Sequence, residues 1–388
     1  MFSIYIKRIL FFIINLKNYI QRFDFSNTKR KNKICIVFLD QIGDFLIFSS
    51  SLPRIRQVFP EKEWEITLLG LTDWQDYDDV FIHYYCDKRY FINFPTNSSI
   101  FSSLKYLIIL VKLSFFKFNY VVNPISSRTF YSDLCSHLCF SKTKIAIKSP
   151  FSNKNSFLFD YIYTDFFNIN NIIHESEVFT VFFDYFFSTY CINIDQPTFR
   201  SFPHLYDSSD EISLYNKISL SYNYLVISPI SGSPKKNYSL KRYSIIINEL
   251  RPYFSKIYVI GSRNQLNDIS KNLSFDEKVI NLCGLLNLRE VSILVHNSSL
   301  VLSNDSMVIH LAHLLSRSYL CILPGMDYGR YLPYPNSRSD QEVIDMGLDC
   351  FNCGWRCPFD ININDPFKCV NDIPVQKIIN KIMLINKL

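Results

Sequence analysis

Glycine is scarce, with nine residues in a chain of 388. A backbone that needs positive φ or a close neighbour usually uses glycine, so each one here marks such a position more sharply than in an ordinary chain. Long uncharged apolar runs are missing too. Residues 2–23 (FSIYIKRILFFIINLKNYIQRF) are apolar, but Lys7, Arg8, Lys17 and Arg22 interrupt them. Their longest uncharged run, Ile9 to Leu16, falls well short of the roughly 20 residues that span a bilayer. The same segment has no small-residue cleavage site, which argues against a secretory signal. A formal charge of +6 is mild for this length and no Lys/Arg run argues for nucleic acid, which is not an expected partner. A Walker loop is also absent, because no glycine carries the required Gly-Lys-Ser/Thr spacing.

What is present is a large apolar fraction, 48%, with 35 Phe and 25 Tyr. That suffices for large cores, and the length suits two α/β domains rather than one. The mild positive charge fits an anionic substrate or a membrane surface. Residues 2–23 pair an aromatic and Ile/Leu face with a basic one, the pattern of an interfacial helix or of a helix packed on the protein body. Seven of the eleven cysteines (Cys35, Cys86, Cys135, Cys139, Cys191, Cys283 and Cys321) are scattered singly. They read as buried free thiols and fit a reducing cytoplasm.

The chain divides into residues 1–32 (basic, aromatic helix and linker), 33–215, 216–345 and 346–388 (a Cys-rich tail and C-terminal helix). Ile34–Leu39 reads as a buried first strand. After it come the turn at Gly43-Asp44, a helix reaching Arg56, and a strand over Trp64–Leu69. Strand, Gly-bearing turn, helix, strand is a βαβ unit and implies a parallel sheet. Tyr120–Asn123 and Lys144–Ile147 are further strand candidates, Tyr106–Phe116 is an apolar helix, and a helix is expected around Glu177–Tyr190. A second βα series starts at Tyr224–Ser228. Its later strands are Lys256–Ile260, Val279–Leu282, Leu300–Leu302 and Tyr319–Leu323, with helices over 240–254, Leu288–Asn297 and Ser306–Leu315. Two doubly wound Rossmann-like domains facing a central cleft are the economical α/β architecture, with ligand at the carboxyl ends of the strands.

Four constellations carry chemistry. Asp44 follows the first strand, where a carboxylate can act as a general base or simply complement a helix N-terminus. Ser228–Tyr238 supplies Ser231, Gly232 and Lys236 in a loop able to hold phosphate through backbone N–H groups and an ammonium, or to stand solvated. Asp305 and Ser306 open a helix whose N–H groups and dipole suit an anion, with Met307 and His310 in its first turns. Asp305 is itself an anion and better suited to a sugar or ribose hydroxyl than to a phosphate. Cys350, Cys353, Cys357 and Cys369 could hold a structural zinc ion, remain free thiols or form a local disulfide, since paired C-x2-C knuckles are lacking.

In order along the chain, these segments resemble the heptosyltransferase-like family 9 of glycosyltransferases. Ile36–Leu46 is similar to the family's opening strand and its Gly-Asp turn, and Ser228–Tyr238 to a His-Pro-Gly…Lys-x-Trp segment. Asn281–Gly284 followed by Leu288–Leu294, and Asn304–Ala312, are similar to its Asn-Leu-x-Gly…Leu and Asn-Asp-(Ser/Thr)-Gly-x-x-His-Leu-Ala segments. Ser228, Ile230, Ser262 and Met307 depart from the pattern; the last stands where the family has glycine, close to the expected diphosphate. The resemblance implies the GT-B fold and an inverting, metal-independent transfer of a heptose-like sugar or other hexose. It puts the general base at Asp44 and the phosphate-binding lysine at Lys236. The implied donor is a nucleotide-diphosphate sugar such as ADP-heptose, with no further cofactor. The implied acceptor is a lipid-linked glycan, lipopolysaccharide or a relative, at the inner face of the cytoplasmic membrane of a Gram-negative bacterium. A catalytically impaired nucleotide-binding or scaffolding protein is the alternative.

Overall fold

The computed structural model describes residues 31–93, 108–109, 111–149, 160–171, 173–191, 208–218, 220–359, 362 and 365–387. The expected interfacial helix of residues 2–23 lies outside them. Among the described residues no helix is long and apolar enough to cross a membrane.

Two six-stranded sheets organise the chain, and every strand pair in both is parallel. The first holds β1 (Asn32–Val37), β2 (Trp64–Leu71), β3 (Lys88–Ile92), β4 (Lys117–Asn123), β5 (Phe140–Lys148) and β6 (Asp165–Asn168), in the order β3-β2-β1-β4-β5-β6. The second holds β7 (Tyr224–Ser228), β8 (Lys256–Val259), β9 (Val279–Asn281), β10 (Leu300–Asn304), β11 (Tyr319–Ile322) and β12 (Gln341–Ile344), in the order β12-β11-β10-β7-β8-β9. Both orders are the doubly wound 3-2-1-4-5-6 pattern, which reverses between the first and fourth strands and leaves a ligand crevice there. The central strands are buried on both faces, so they read as unbroken apolar runs such as Ile34–Val37 and Tyr224–Ile227.

The longer helices among the described residues include α1 (Ile42–Ser49), α2 (Leu52–Val58), α3 (Phe130–Leu138), α4 (Glu175–Tyr190), α5 (Ser208–Ile218), α6 (Leu240–Leu250), α7 (Leu266–Asn272), α8 (Leu288–His296), α9 (Met307–Leu314) and α10 (Val375–Asn386). The single helix expected from Gly43 to Arg56 is two. Pro53 occupies the first turn of α2, where its missing N–H is harmless, and it cannot continue a helix from α1. Ser49 and Ser50 donate back to the carbonyls of Leu46 and Ile47, each at 2.7 Å, and so close the end of α1.

By packing, the chain forms two compact units. One takes the described residues of Met1–Gln41, Ser51–Asn171 and Val178–Ser201; the second takes those of Ile42–Ser50, Ile172–Glu177 and Phe202–Leu388. Chain order places α1 after β1, but α1 packs with the second unit against α9. The Cys-rich tail also belongs to the second unit. Phe367, Cys369, Val370 and Ile373 join the core built on β7, β8, β10 and α6.

Candidate functional site

In the second unit, β7 and β10 are neighbours, with Ser228 in register with Ser303. Their carboxyl ends therefore deliver two segments to the switch point, the loop 229–239 and the turn 305–306. Asn304 stitches them together. Its Nδ2 donates to the Pro229 carbonyl at 2.5 Å, and its Oδ1 accepts from the Tyr238 N–H at 3.3 Å and the Tyr243 hydroxyl at 3.0 Å. Asn237 closes the loop from within, accepting from the Ser231 N–H at 2.7 Å and the Ser231 Oγ at 2.9 Å.

Three of the residues that depart from the family pattern lie in defined surroundings. Ile230 packs its side chain against the core of the second unit, where a glycine would leave apolar space unfilled. Ser228 is the buried last residue of β7, and its carbonyl accepts from Ser303 Oγ at 2.9 Å. Ser262 caps the turn that follows β8, trading hydrogen bonds with Gln265. Gly232 stands in open space, so no protein atom there requires a glycine.

Ser306 is the N-cap of α9, extended at φ −150° and ψ 170°, and its side chain makes no capping bond. Its hydroxyl pairs instead with Ser303 Oγ at 2.8 Å. The helix mouth therefore keeps N–H groups that no cap satisfies. Beside it, Lys236 Nζ donates to Asp305 Oδ2 at 2.7 Å, with the two side chains 20% and 10% exposed. Burial works against the ammonium, but Asp305 outweighs it, helped by Asp327 and Asp44, and holds Lys236 above its ordinary pKa. The same ammonium lies 5.6 Å from the centre of the Trp355 ring.

Gly43 and the half-buried Asp44 are in the first turn of α1. A Cβ on Gly43 would stand 3.3 Å from His310 Cδ2 and 4.0 Å from the Met307 Cα, so this glycine is what admits α1 to the start of α9. Met307 thus lies with its backbone against Gly43, and its side chain is half-buried. Ser231, Gly232 and Lys236 on one loop, Asp305, Ser306, Met307 and His310 on the next, and Asp44 on α1 all fall in this one unit.

His310 is buried, and its Nδ1 lies 2.9 Å from the hydroxyl of Tyr334. Tyr334 is also buried, and the ring of His313 stacks on it at 3.5 Å with 2° between the planes. His174 packs on the same tyrosine at 4.5 Å. Its Nε2–H donates to the Tyr331 carbonyl at 2.7 Å, leaving Nδ1 to accept from the Ser176 N–H at 3.1 Å. Burial lowers all three imidazoles, to about 4 for His310 and about 4 for His313. They are therefore neutral at physiological pH and act as hydrogen-bonding groups rather than as cations. Arg330 and Glu175 form a buried ion pair at 2.8 Å under this cluster, and the Glu175 N–H donates to the Arg330 carbonyl at 2.8 Å. Sequence reasoning missed Tyr334, His174, Arg330 and Glu175. His313 had a visible signal, since it follows His310 at a one-turn spacing.

Cys350, Cys353, Cys357 and Cys369 line one small cavity with Phe351, Phe359 and Phe367, and all four are free thiols. Cys369 is buried and its Sγ accepts from the Gly325 N–H at 3.4 Å. Among the described residues no group of three or more His, Cys, Asp and Glu is arranged to hold a metal ion.

Residues 176–344 match the model of glycosyltransferase family 9 (heptosyltransferase). No curated protein matches the sequence. Solved structures do. A glycosyl transferase of family 9 from Veillonella parvula DSM 2008 superposes with a TM-score of 0.69 at 13% identity, covering 93% of this chain and 99% of the other. The E. coli ADP-heptose lps heptosyltransferase II gives 0.65 at 14% identity, covering 92% and 98%. E. coli heptosyltransferase WaaC with ADP-2-deoxy-2-fluoro heptose gives 0.62 at 13%, covering 90% and 99%. The fold expected from the sequence, two doubly wound α/β halves of the GT-B type, is the fold these structures share.

Proposed function

We propose that this chain, a glycosyltransferase carrying the family 9 domain over residues 176–344, is an inverting, metal-independent enzyme. It moves a heptose-like sugar or another hexose from a nucleotide-diphosphate donor to lipopolysaccharide or a related surface glycan. One observation carries the reading: the mouth of α9, the Lys236–Asp305 pair and the Gly43-Asp44 turn belong to one compact unit.

In the proposed reaction the donor diphosphate lies against the uncapped N–H groups of Ser306 and Met307 and the ammonium of Lys236. These groups stabilise the charge that develops on the leaving diphosphate, the task a metal ion performs in other transferases. Ser231 and Gly232 border the same space. The Asp44 carboxylate takes the proton from the acceptor hydroxyl as its oxygen attacks the anomeric carbon. The bond from that carbon to the phosphate oxygen breaks on the opposite face, which inverts the configuration. Asp305 accepts a hydrogen bond from a sugar or ribose hydroxyl. ADP-heptose is the first donor to try, because two of the similar E. coli structures are named with ADP-heptose or its fluorinated analogue. A lipid-linked acceptor would place the enzyme at the inner face of the cytoplasmic membrane, and the basic, aromatic residues 2–23 suit that address.

The test is a mass-spectrometric screen of ADP-, GDP-, UDP- and dTDP-sugars for transfer, with EDTA-treated enzyme in parallel. Asp44→Asn should lower transfer by about two to four orders of magnitude and leave nucleotide binding intact. Undiminished transfer by that variant removes Asp44 as the base. Binding without transfer for every donor and acceptor pair favours the nucleotide-binding alternative.

A further inference from the structure

We propose that Tyr334 is a positioning residue that holds His310 as its Nε2–H tautomer, so that Nε2 offers a hydrogen bond to a phosphate oxygen of the donor beside Gly43. The phosphate contact rests on the transferase reading above; the tautomer does not.

The argument starts from one bond. His310 Nδ1 and the Tyr334 hydroxyl are 2.9 Å apart, and His310 is the hydroxyl's one hydrogen-bond partner among the described residues. Two arrangements satisfy that distance. If Nδ1–H donated, the buried tyrosine would keep an O–H with no acceptor, at about 1–3 kcal/mol. If the hydroxyl donates, the imidazole proton must sit on Nε2, and both groups are satisfied once a ligand oxygen accepts from Nε2. The tyrosine is neutral in both arrangements. Burial, with Tyr319, Asp44 and Asp305 acting the same way, keeps the Tyr334 proton on its oxygen.

The rest of the cluster fixes the tyrosine. His313 lies flat on its ring, and His174 packs against it while bonded to the Tyr331 carbonyl three residues earlier in the same segment. The Arg330–Glu175 pair, both residues buried, anchors the start of that segment. A hydroxyl held in this way gives the imidazole one orientation.

What Nε2 faces completes the inference. It has no protein acceptor among the described residues, although His310 is only 5% exposed. It lies 3.7 Å from where a Gly43 Cβ would stand. The glycine brings α1 close to the Met307 backbone and the edge of the imidazole, next to the N–H groups of α9 that no cap satisfies. A neutral imidazole with its proton on Nε2 donates there. The opposite tautomer would present a lone pair to a phosphate oxygen and repel it.

The test uses full-length protein labelled with 15N-histidine. Long-range proton–nitrogen correlation at neutral pH distinguishes the two tautomers, and His310→Gln assigns the signal. The wild type should show His310 as Nε2–H. In Tyr334→Phe the signal should move toward a mixture of tautomers. Calorimetry with ADP, GDP, UDP and dTDP, each alone, should show about tenfold weaker binding of whichever the wild type takes. In a His310→Gln background Tyr334→Phe should add less than about twofold, since the residue acts through the histidine. A wild-type His310 protonated on Nδ1 overturns the proposal, and that reading needs no variant to fold. So does a Tyr334→Phe protein with wild-type spectrum and affinity. Failure of the wild type to bind all four diphosphates overturns the donor reading and the phosphate contact with it, while the nitrogen spectrum decides the tautomer separately.

Discussion

The buried imidazole of His310 should make the second unit sensitive to mild acid, and the size of the effect follows from its surroundings. Burial sets its pKa at about 4, against an ordinary value of 6.5. Asp305 opposes that lowering, while His174 and Lys236 add to it. The folded-state pKa is the lower one, so between 4 and 6.5 the unfolded chain binds more protons and stability falls as the pH falls. The stabilising contribution is complete above about pH 6.5 and gone below about pH 4. Some 2.5 pH units at about 1.4 kcal/mol each give about 3–4 kcal/mol. His313 shifts in the same direction and also to about 4, but the two cannot be added, because the lowering of His313 includes the charge of His310. The perturbation is His310→Gln, which keeps a polar side chain and removes the titration. Urea unfolding of wild type and variant at several pH values between about 7.5 and 4 measures the difference. Gln should be the less stable at neutral pH, since it loses the fitted bond to Tyr334. The gap should then close by about 3–4 kcal/mol as the pH falls. A gap that stays constant across that window refutes the buried neutral histidine, whatever its absolute size.

Two further outcomes test the ion pairs around the site. Lys236→Met should weaken binding of a nucleoside diphosphate by about 2 kcal/mol, near thirtyfold, because it deletes a charge-assisted hydrogen bond in a mostly buried place; calorimetry reads it, and unchanged affinity removes Lys236 from the phosphate site. Arg330→Met should destabilise the second unit by about 3–5 kcal/mol, since it removes the cation paired with the buried Glu175 carboxylate; the double variant with Glu175→Gln should recover part of that loss in urea unfolding, and full additivity of the two changes contradicts the pair.

The architecture was legible wherever burial leaves a mark on composition. Strands such as Ile34–Val37 and Tyr224–Ile227 are sealed on both faces and spell unbroken apolar runs, so the two βα series stood out. β3, β6 and β12 did not. Asp165-Phe-Phe-Asn168 sits at a sheet edge, has no fully buried residue and shows no alternation. Gln341-Glu-Val-Ile344 at the other sheet's edge is equally ambiguous. The break between α1 and α2 is written in Ser49-Ser50-Ser51 and Pro53. At the site, Asp44, Lys236, Asp305 and His310 announced themselves by residue type and by turns after strands. Tyr334 and His174 did not. A tyrosine between prolines and a lone histidine before Glu175 acquire meaning only when folding brings residue 174 to residue 331, a separation of 157 positions. The packing of α1 on α9 was also invisible, since chain order alone assigns α1 to the first sheet.

The charge at the centre of the site narrows how a diphosphate can be held. Asp305, Asp327 and Asp44 all bear on Lys236, three carboxylates to one ammonium. An anionic donor therefore meets no surplus of positive charge, and the three histidines supply none because burial keeps them neutral. On the proposed reading, directed N–H donors rather than net charge hold the diphosphate. The fold provides them in three forms: the uncapped amides of α9, the Nε2–H that Tyr334 orients, and the Lys236 ammonium. The last is already engaged by Asp305 at 2.7 Å, so a phosphate oxygen has to share it. Sharing loosens Asp305 at the moment a sugar or ribose hydroxyl arrives, and the carboxylate can accept from that hydroxyl without losing its cation altogether. On this reading Asp305 links recognition of the sugar or ribose to the grip on the phosphates. A nucleotide-diphosphate sugar satisfies both groups together, whereas inorganic diphosphate would draw on Lys236 and leave Asp305 uncompensated.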